Sequence, residues 1–247
     1  KKWVKERNPD IILLQELKCQ EETFPHEEVE DLGYNTTLLG QKSYNGVAIL
    51  SKMPFDEVIK SLPTFPEDEQ ARYIEAVTGG IRVASVYVPN GQEVGSEKFA
   101  YKMKFLEALK QHSSGLLTDN DAFVMGGDYN IAPFVTDGHN PDNFKKERIL
   151  CSLQEREVMR SLYNEGFIDG FRLMYPETLP ENHKLFSWWD YRSGSYRNNK
   201  GYRIDHLLCS PKAADFMTEA GIDHDLRGEE KPSDHAPVWV TLHDPQS

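Results

Sequence analysis

Short apolar runs separated by polar stretches organise this chain, and two periods can be read from them. Runs dominated by Val, Ile, Leu and Tyr at 11–14, 47–50, 73–77, 81–88, 122–125, 203–209 and 236–242 predict strands. In the last run Ala236, Val238, Val240 and Leu242 alternate with Pro237, Trp239 and Thr241. Both sets are partly apolar, so both faces of that strand should be covered. A helical period appears at 97–111, where Phe99, Met103, Leu106 and Leu109 form one stripe, and again at 153–165. The second helix is expected to start at Ser152, with Glu155 completing a capping box, and to stop near Gly166. Residues 1–9 read as the end of a helix stopped by Asn8-Pro9.

Strands outnumber helices, and the helices are interspersed rather than strictly alternating. That order predicts a mixed sheet, or two sheets packed together, over a purely parallel one. The acidic stretch 63–70 and the stretch 137–146 read as loops. No repeat or linker interrupts the chain, so one domain spanning 1–247 is expected.

At 247 residues such a domain buries enough apolar surface to fold without disulfides. Cys19, Cys151 and Cys209 are far apart and lack Cys-x-x-Cys spacing, which argues against structural zinc and for a reducing compartment. No apolar stretch approaches a membrane span and no basic-then-apolar leader is visible, so a soluble cytoplasmic protein is expected. The formal net charge of −12 argues against a protein that coats nucleic acid nonspecifically. It leaves room for an enzyme whose basic residues are local. Such residues cluster at Lys145, Lys146 and Arg148, and at Arg192, Arg197, Lys200 and Arg203.

Four segments end in acids, amides or imidazole at the tip of an apolar run. A buried strand that delivers such groups at its end is how an α/β scaffold assembles a metal-assisted hydrolase site. In Gly126-Gly127-Asp128-Tyr129-Asn130 the glycines permit a tight turn, and Asp128 and Asn130 project to one side of an extended chain. A carboxylate beside a carboxamide can orient a water, take its proton and hold a cation. Taken alone, the same residues make an ordinary Asx turn. In Ser233-Asp234-His235-Ala236-Pro237, Asp234 and His235 point to opposite sides, so one can reach a metal while the other meets substrate.

Asp205 falls on the same strand face as Leu207 and Cys209. A carboxylate there needs a partner, which His235 can supply by fixing one imidazole tautomer; Arg203 or a backbone cap is the structural alternative. His206, on the other face, reads as structural. Glu16 ends the run Ile11-Ile12-Leu13-Leu14-Gln15 and supplies hard oxygen suited to Mg²⁺ or Mn²⁺. Tyr87 and Asn90, in Tyr87-Val88-Pro89-Asn90-Gly91, can donate to a phosphate without adding charge. In Phe186-Ser187-Trp188-Trp189-Asp190-Tyr191-Arg192, Trp189 is expected to anchor the loop and Trp188 to be the exposed stacker beside Arg192 and Arg197. Its flanks at 180–183 and 193–200 are polar and loop-like.

In this order and spacing the segments resemble the exonuclease III family of apurinic/apyrimidinic endonucleases, within the DNase-I-like metal phosphoesterases. The likeness runs from about Asn8 onward. It is carried by Leu14-Gln15-Glu16, by 46–52, and by Tyr87-Val88-Pro89-Asn90-Gly91. Further on come 127–133, Trp188-Trp189-Asp190-Tyr191-Arg192, Arg203-Ile204-Asp205 and 232–238. The Trp-rich loop and Tyr202-Arg203-Ile204-Asp205 are the parts most diagnostic of the DNA-repair branch.

The resemblance implies an α/β four-layered sandwich, two facing mixed β-sheets flanked by helices. It implies hydrolysis 5′ to an abasic site in duplex DNA, leaving a 3′-hydroxyl, with 3′-to-5′ exonuclease and 3′-end-cleaning activities. Glu16 is then the principal Mg²⁺ ligand (Mn²⁺ a substitute), within a shell that takes in Asp128, Asn130, Asp234 and His235. Asp128 activates the water, Asn130 positions it, and His235 contacts a phosphate oxygen with Asp205 orienting it. Tyr87 and Asn90 match phosphate-contacting positions. Trp188, Tyr202 and Ile204 match the pocket for a flipped-out abasic sugar, with Arg192 also on the DNA.

The implied partner is duplex DNA with abasic sites or blocked 3′ ends, met by a monomer that does not touch membrane and is nucleoid-associated if bacterial. The family's opening strand, with its Asn-x-Asn-Gly motif, is not in this sequence, so an N-terminally truncated domain with weaker Mg²⁺ binding or stability is expected. Two other readings stand beside this one. One is another superfamily phosphoesterase acting on inositol phosphate, sphingomyelin or RNA; the other is a catalytically impaired DNA-binding fragment.

Overall fold

The computed structural model describes residues 2–118, 121–176 and 186–243. In chain order the elements are α1 (Lys2–Arg7), β1 (Ile11–Gln15), α2 (His26–Glu30), β2 (Asn35–Leu39), β3 (Val47–Ser51), β4 (Phe55–Lys60), β5 (Tyr73–Thr78) and β6 (Ile81–Tyr87). They continue with α3 (Glu97–Leu117), β7 (Phe123–Asp128), α4 (Pro141–Lys145), α5 (Leu153–Glu165), β8 (Ile168–Asp169) and α6 (Gly170–Met174). Last come β9 (Asp205–Cys209), α7 (Pro211–Asp215), β10 (Met217–Ile222) and β11 (Val238–Leu242).

The larger sheet runs β4-β5-β6-β7-β9-β8, antiparallel except for the parallel β6–β7 step that α3 crosses over. Facing it are a three-stranded sheet, β1-β3-β2, and the two-stranded β10-β11, both antiparallel. Val47 and Ile49 of the smaller sheet meet Ile74, Ala76, Val83 and Val124 of the larger in one buried cluster. On its other face the larger sheet packs Tyr73, Val86, Phe123 and Met125 against Phe105, Leu106 and Leu109 of α3 and Met159 and Leu162 of α5. The outer face of the smaller sheet (Leu38, Ala48, Leu50) is covered by Val29 of α2 and by Val4 of α1. The order is helix, sheet, sheet, helix, the four layers that the resemblance implies.

The two expected helices form. Ser152 and Glu155 make the capping box, and Gly166 ends α5 at φ +120°. Helix α3 runs past the expected end at 111 to Leu117. Strands β2, β4, β8 and β10 appear where no apolar run marked them. The stretch 137–146 is not all loop: it holds α4, capped by the Asn140 side chain with Pro141 in the first turn. The polar flank expected at 180–183 lies outside the described residues. Among the described residues no helix is long and apolar enough to cross a membrane.

Candidate active site

Strand register sets the site. Tyr87 is the Cα partner of Asp128 across β6–β7, and Asp128 is the partner of Asp205 across β7–β9. A phenol and two carboxylates therefore lie in one row at the end of the larger sheet. Two glycines make that row possible. A Cβ at Gly126 would lie 2.4 Å from Leu207 Cδ2 and 2.7 Å from Leu13 Cδ1, so its absence lets the two sheets close. At Gly127 φ is +150° and a Cβ would meet the Val86 carbonyl oxygen at 1.9 Å, so a side chain does not fit.

From the facing sheet, Gln15 Nε2 donates to Ser85 Oγ, and Ser85 Oγ donates to the Leu14 carbonyl, each at 2.8 Å. These bonds pin the end of β1 over β6. Glu16 follows in left-handed backbone at φ +55°, and its Oε1 accepts from Tyr87 Oη at 2.6 Å. Its Oε2 pairs with Lys18 Nζ at 2.7 Å.

His235 arrives on the segment before β11. Its Nδ1 donates to both Asp205 oxygens, at 2.9 and 3.0 Å, which leaves Nε2 3.9 Å from Asp128 Oδ2. Asp205 is held in turn by Ser187, whose Oγ accepts the backbone N–H groups of Ile204 and Asp205 at 3.1 Å. Asn130, at φ +50°, wraps Asp128. Its backbone N–H donates to Oδ1 at 2.8 Å and its Nδ2 donates to Oδ2 at 3.0 Å. Its carboxamide oxygen accepts from Asn90 Nδ2 at 3.1 Å.

Burial pushes the Asp128 carboxyl up to about 7, against the pull of the His235 charge. Burial opposes a charge on His235 too, but Asp205 beside it outweighs this and raises the imidazole to about 10. For Glu16 desolvation raises the pKa, yet hydrogen bonds from Lys18 and Tyr87 prevail and lower it. Tyr87 is driven up by burial and by the Glu16 carboxylate that accepts its proton. Near neutral pH the site thus holds a cationic imidazole, an anionic Glu16 and a carboxyl poised to exchange a proton.

The donor set suits a hard, water-carrying cation. Among the described residues no three His, Cys, Asp or Glu side chains close on one point, which does not suit a tetrahedral zinc cage. Glu16, with its side chain 37% exposed, and the buried Asp128 offer hard oxygen, and holding by one or two carboxylates plus water is the Mg²⁺ pattern. Asn130 gives its amide oxygen to Asn90, and Asp234 Oδ2 accepts from Trp188 Nε1 at 2.9 Å.

Beside this row lies a buried apolar cluster. Tyr202 and Ile204 are buried with Ala132, Leu150 and Cys151, and Trp188 packs against them. The Trp188 backbone bridges both Tyr202 and His235, so the Trp-rich loop is tied to the cluster and to the imidazole at once. Trp189 is fully buried, as expected. Trp188 is half-buried rather than the exposed stacker, because Asp234 holds its indole N–H. Arg192 stays exposed and pairs with Asp190 at 2.9 Å. Arg203 does not belong to a basic surface: it is buried between Asp137 and Asp169, each 2.8 Å away, and its Nη1 lies 3.1 Å from His206 Nδ1. His206 is structural, its Nε2 donating to the Ile131 carbonyl at 2.8 Å.

Sequence reasoning missed four residues of this neighbourhood. Lys18 was signalled only by its place two residues after Glu16. Ser187 was hidden beside the conspicuous tryptophans. Arg72, whose guanidinium lies 4.8 Å above the Tyr87 ring, carries no local signal, and neither does Asn143, which donates to Tyr202 Oη.

A row of carboxylates with an Asp-held imidazole, at one edge of a four-layered sandwich, defines a phosphoesterase scaffold. A family model described as the endonuclease/exonuclease/phosphatase family matches residues 1–235, and the chain belongs to that family. It is 39% identical to exodeoxyribonuclease III of Haemophilus influenzae, over 96% of this chain and 91% of that protein. It is 32% identical to an exodeoxyribonuclease of Bacillus subtilis, over 97% of this chain and 90% of that one. Among solved structures it superposes on a Neisseria 3′ phosphatase bound to a product DNA hairpin with a TM-score of 0.92, at 36% identity, covering 98% of this chain and 91% of that chain. An AP endonuclease from Archaeoglobus fulgidus gives 0.89 at 34% identity, covering 98% and 91%. The chain is thus a metal-dependent hydrolase of the exodeoxyribonuclease III type.

Proposed function

We propose that this protein is a DNA-repair nuclease that hydrolyses the phosphodiester 5′ to an abasic site in duplex DNA and also trims or dephosphorylates blocked 3′ ends. The observation that carries the reading is the Tyr87–Asp128–Asp205 row with His235 across it, set directly beside the Trp188–Tyr202–Ile204 apolar cluster. The row offers hydrolysis, and the cluster's partly exposed edge at Trp188 offers apolar surface to a sugar without its base, the nucleotide cheapest to extrude.

In this reading Asp128 takes the proton of the attacking water, and Asn130 fixes the Asp128 carboxylate and the water's line of approach. Protonated His235 meets a phosphate oxygen, oriented by Asp205. Tyr87 donates toward the phosphate, with Asn90 beside it. Glu16 would be the principal Mg²⁺ ligand, with Asp128, Asn130 and Asp234 around it, while the protonated His235 has no lone pair for the ion and stays on the phosphate. Bound there, Mg²⁺ supplies charge neutralisation for the phosphate and the departing 3′-oxygen. Arg192, exposed on the Trp-rich loop, reaches for the DNA backbone. The protein acts as a single-domain monomer, in the cytoplasm and on the nucleoid if the source is bacterial.

A duplex carrying one synthetic abasic site tests the reading against its nearest rival. Magnesium-dependent nicking at that site, absent with EDTA, supports it. Release of phosphate from inositol phosphates without nicking would favour another branch of the superfamily.

A further inference from the structure

We infer that Lys102, buried beneath the site on α3, is a positioning residue for the reaction: its ammonium joins the two loops that present Asn90 and Asn130. The inference rests on the phosphodiesterase reading above. Lys102 is fully buried, an uncommon place for a lysine. Its Nζ donates to the Asn130 carbonyl at 2.8 Å and to the Asn90 carbonyl at 3.2 Å, and its third partner is the Glu155 carboxylate. Asn90 Nδ2 and Asn130 Nδ2 also tie the loops together, donating to Asn130 Oδ1 at 3.1 Å and to the Val88 carbonyl at 3.0 Å; Lys102 adds a bond to the main-chain carbonyl of each loop from below.

Three features give the contact a purpose beyond packing. Asn130 turns the chain at φ +50°, a left-handed conformation that asparagine adopts more readily than other side-chain-bearing residues, and the bond from Lys102 falls on that residue's own carbonyl. The same Asn130 wraps Asp128 through its backbone N–H and its carboxamide, so a shift of its backbone moves the proton-accepting carboxylate. Gly91 roofs the lysine stem: a Cβ there would lie 3.0 Å from Lys102 Cδ, so the loop after Asn90 fits closely over this side chain.

Glu155 plays the structural part. It caps α5 by accepting from Ser152 N at 2.9 Å and Ser152 Oγ at 2.7 Å, and it accepts from Leu150 N at 3.2 Å. The pair therefore divides into a carboxylate that organises the start of α5 and an ammonium that organises two active-site loops. A lysine is suited to this, since three donors on one nitrogen reach three acceptors at once.

Two variants separate positioning from stability: K102M/E155Q, which removes the ammonium without stranding a buried carboxylate, and E155Q, which leaves the amine spanning both carbonyls. Full-length protein with Mg²⁺ is assayed on a duplex with one abasic analogue, by single-turnover and steady-state kinetics, alongside thermal melts and D128N. In K102M/E155Q the turnover number should fall at least ~10-fold with KM for DNA unchanged, as expected when reacting groups are misplaced by a fraction of an ångström. E155Q should melt lower yet keep its turnover number within about threefold of wild type. If turnover tracks melting temperature in both, or E155Q loses as much turnover as the pair, Lys102 is only structural and the inference is overturned. Should K102M/E155Q not fold, K102Q takes its place under the same two criteria. A wild-type protein that does not nick the duplex would instead refute the underlying reading.

Discussion

Asp128 and Asp205 face each other as register partners on β7 and β9, yet only Asp205 bonds to His235 Nδ1. Two carboxylates one strand apart thereby acquire different work. Asp205 gives both oxygens to the imidazole, while Asp128, deeper and less compensated, rises to about 7. A carboxyl raised by burial beside an imidazole held cationic lets one site hold an acid and a base together.

That division predicts a pH signature for D205N. With Asp205 present, His235 stays protonated until about 10, so a step needing the cation should persist to alkaline pH and fail as pH rises through that value. Without Asp205 the imidazole should titrate nearer ~6.5. The alkaline limb of the rate profile in D205N should move down by about three pH units, with turnover at pH 8 lower by roughly 30-fold, the share of imidazole still protonated there. A variant with an unshifted alkaline limb would exclude the pair as the source of that charge.

For Glu16, the prediction is a metal effect separate from folding. E16Q should raise the Mg²⁺ concentration for half-maximal activity at least ~10-fold while the thermal melt without metal changes little. Calorimetric Mg²⁺ titration of wild type and E16Q checks this without any substrate. Equal affinities would remove Glu16 from the metal site.

Stability should have its own acid limb. Asp169 is buried; desolvation raises its carboxyl, but the Arg203 guanidinium outweighs this and holds it far below the usual carboxylate range. A depressed folded-state pKa contributes stability that is complete above the unfolded value, near ~3.9, and is lost as pH falls toward the folded one. D169N should therefore cost on the order of 3 kcal/mol at pH 7, because Arg203 keeps a buried charge with one partner fewer. The deficit should shrink below about pH 3.5, where wild type loses the same contribution. Urea melts at pH 7 and pH 3 measure both limbs.

Glycine substitutions test the packing of the row itself. G127A must place a Cβ 1.9 Å from the Val86 carbonyl and should cost roughly 2–4 kcal/mol or prevent folding. G115A, within α3 and with nothing inside 4 Å of the added carbon, should stabilise by about 0.5–1 kcal/mol. Equal effects from the two would contradict the close β6–β7 approach.

The pattern of apolar runs located the central strands and both long helices, and with them every residue of the row, because buried strands must be apolar up to the point where chemistry begins. The peripheral strands did not announce themselves. In β4, Asp56, Glu57 and Lys60 face water at the sheet edge, and in β10, Thr218, Glu219 and Gly221 break the run. Helix α4 lay inside a polar stretch, though Asn140-Pro141 was a readable start signal. Arg203 and Lys102 mark the deeper limit. Their charges look like surface in sequence, and only the fold brings Asp137, Asp169 and Glu155 to bury with them.

The central claim, that Asp128 takes the proton of a water attacking DNA, is tested most directly by D128N on a duplex with one abasic site. Single-turnover cleavage and equilibrium binding are measured on the same preparation with Mg²⁺. Cleavage should be slower by at least ~10²-fold with DNA affinity unchanged. Weakened binding with undiminished cleavage of the bound duplex would contradict the claim.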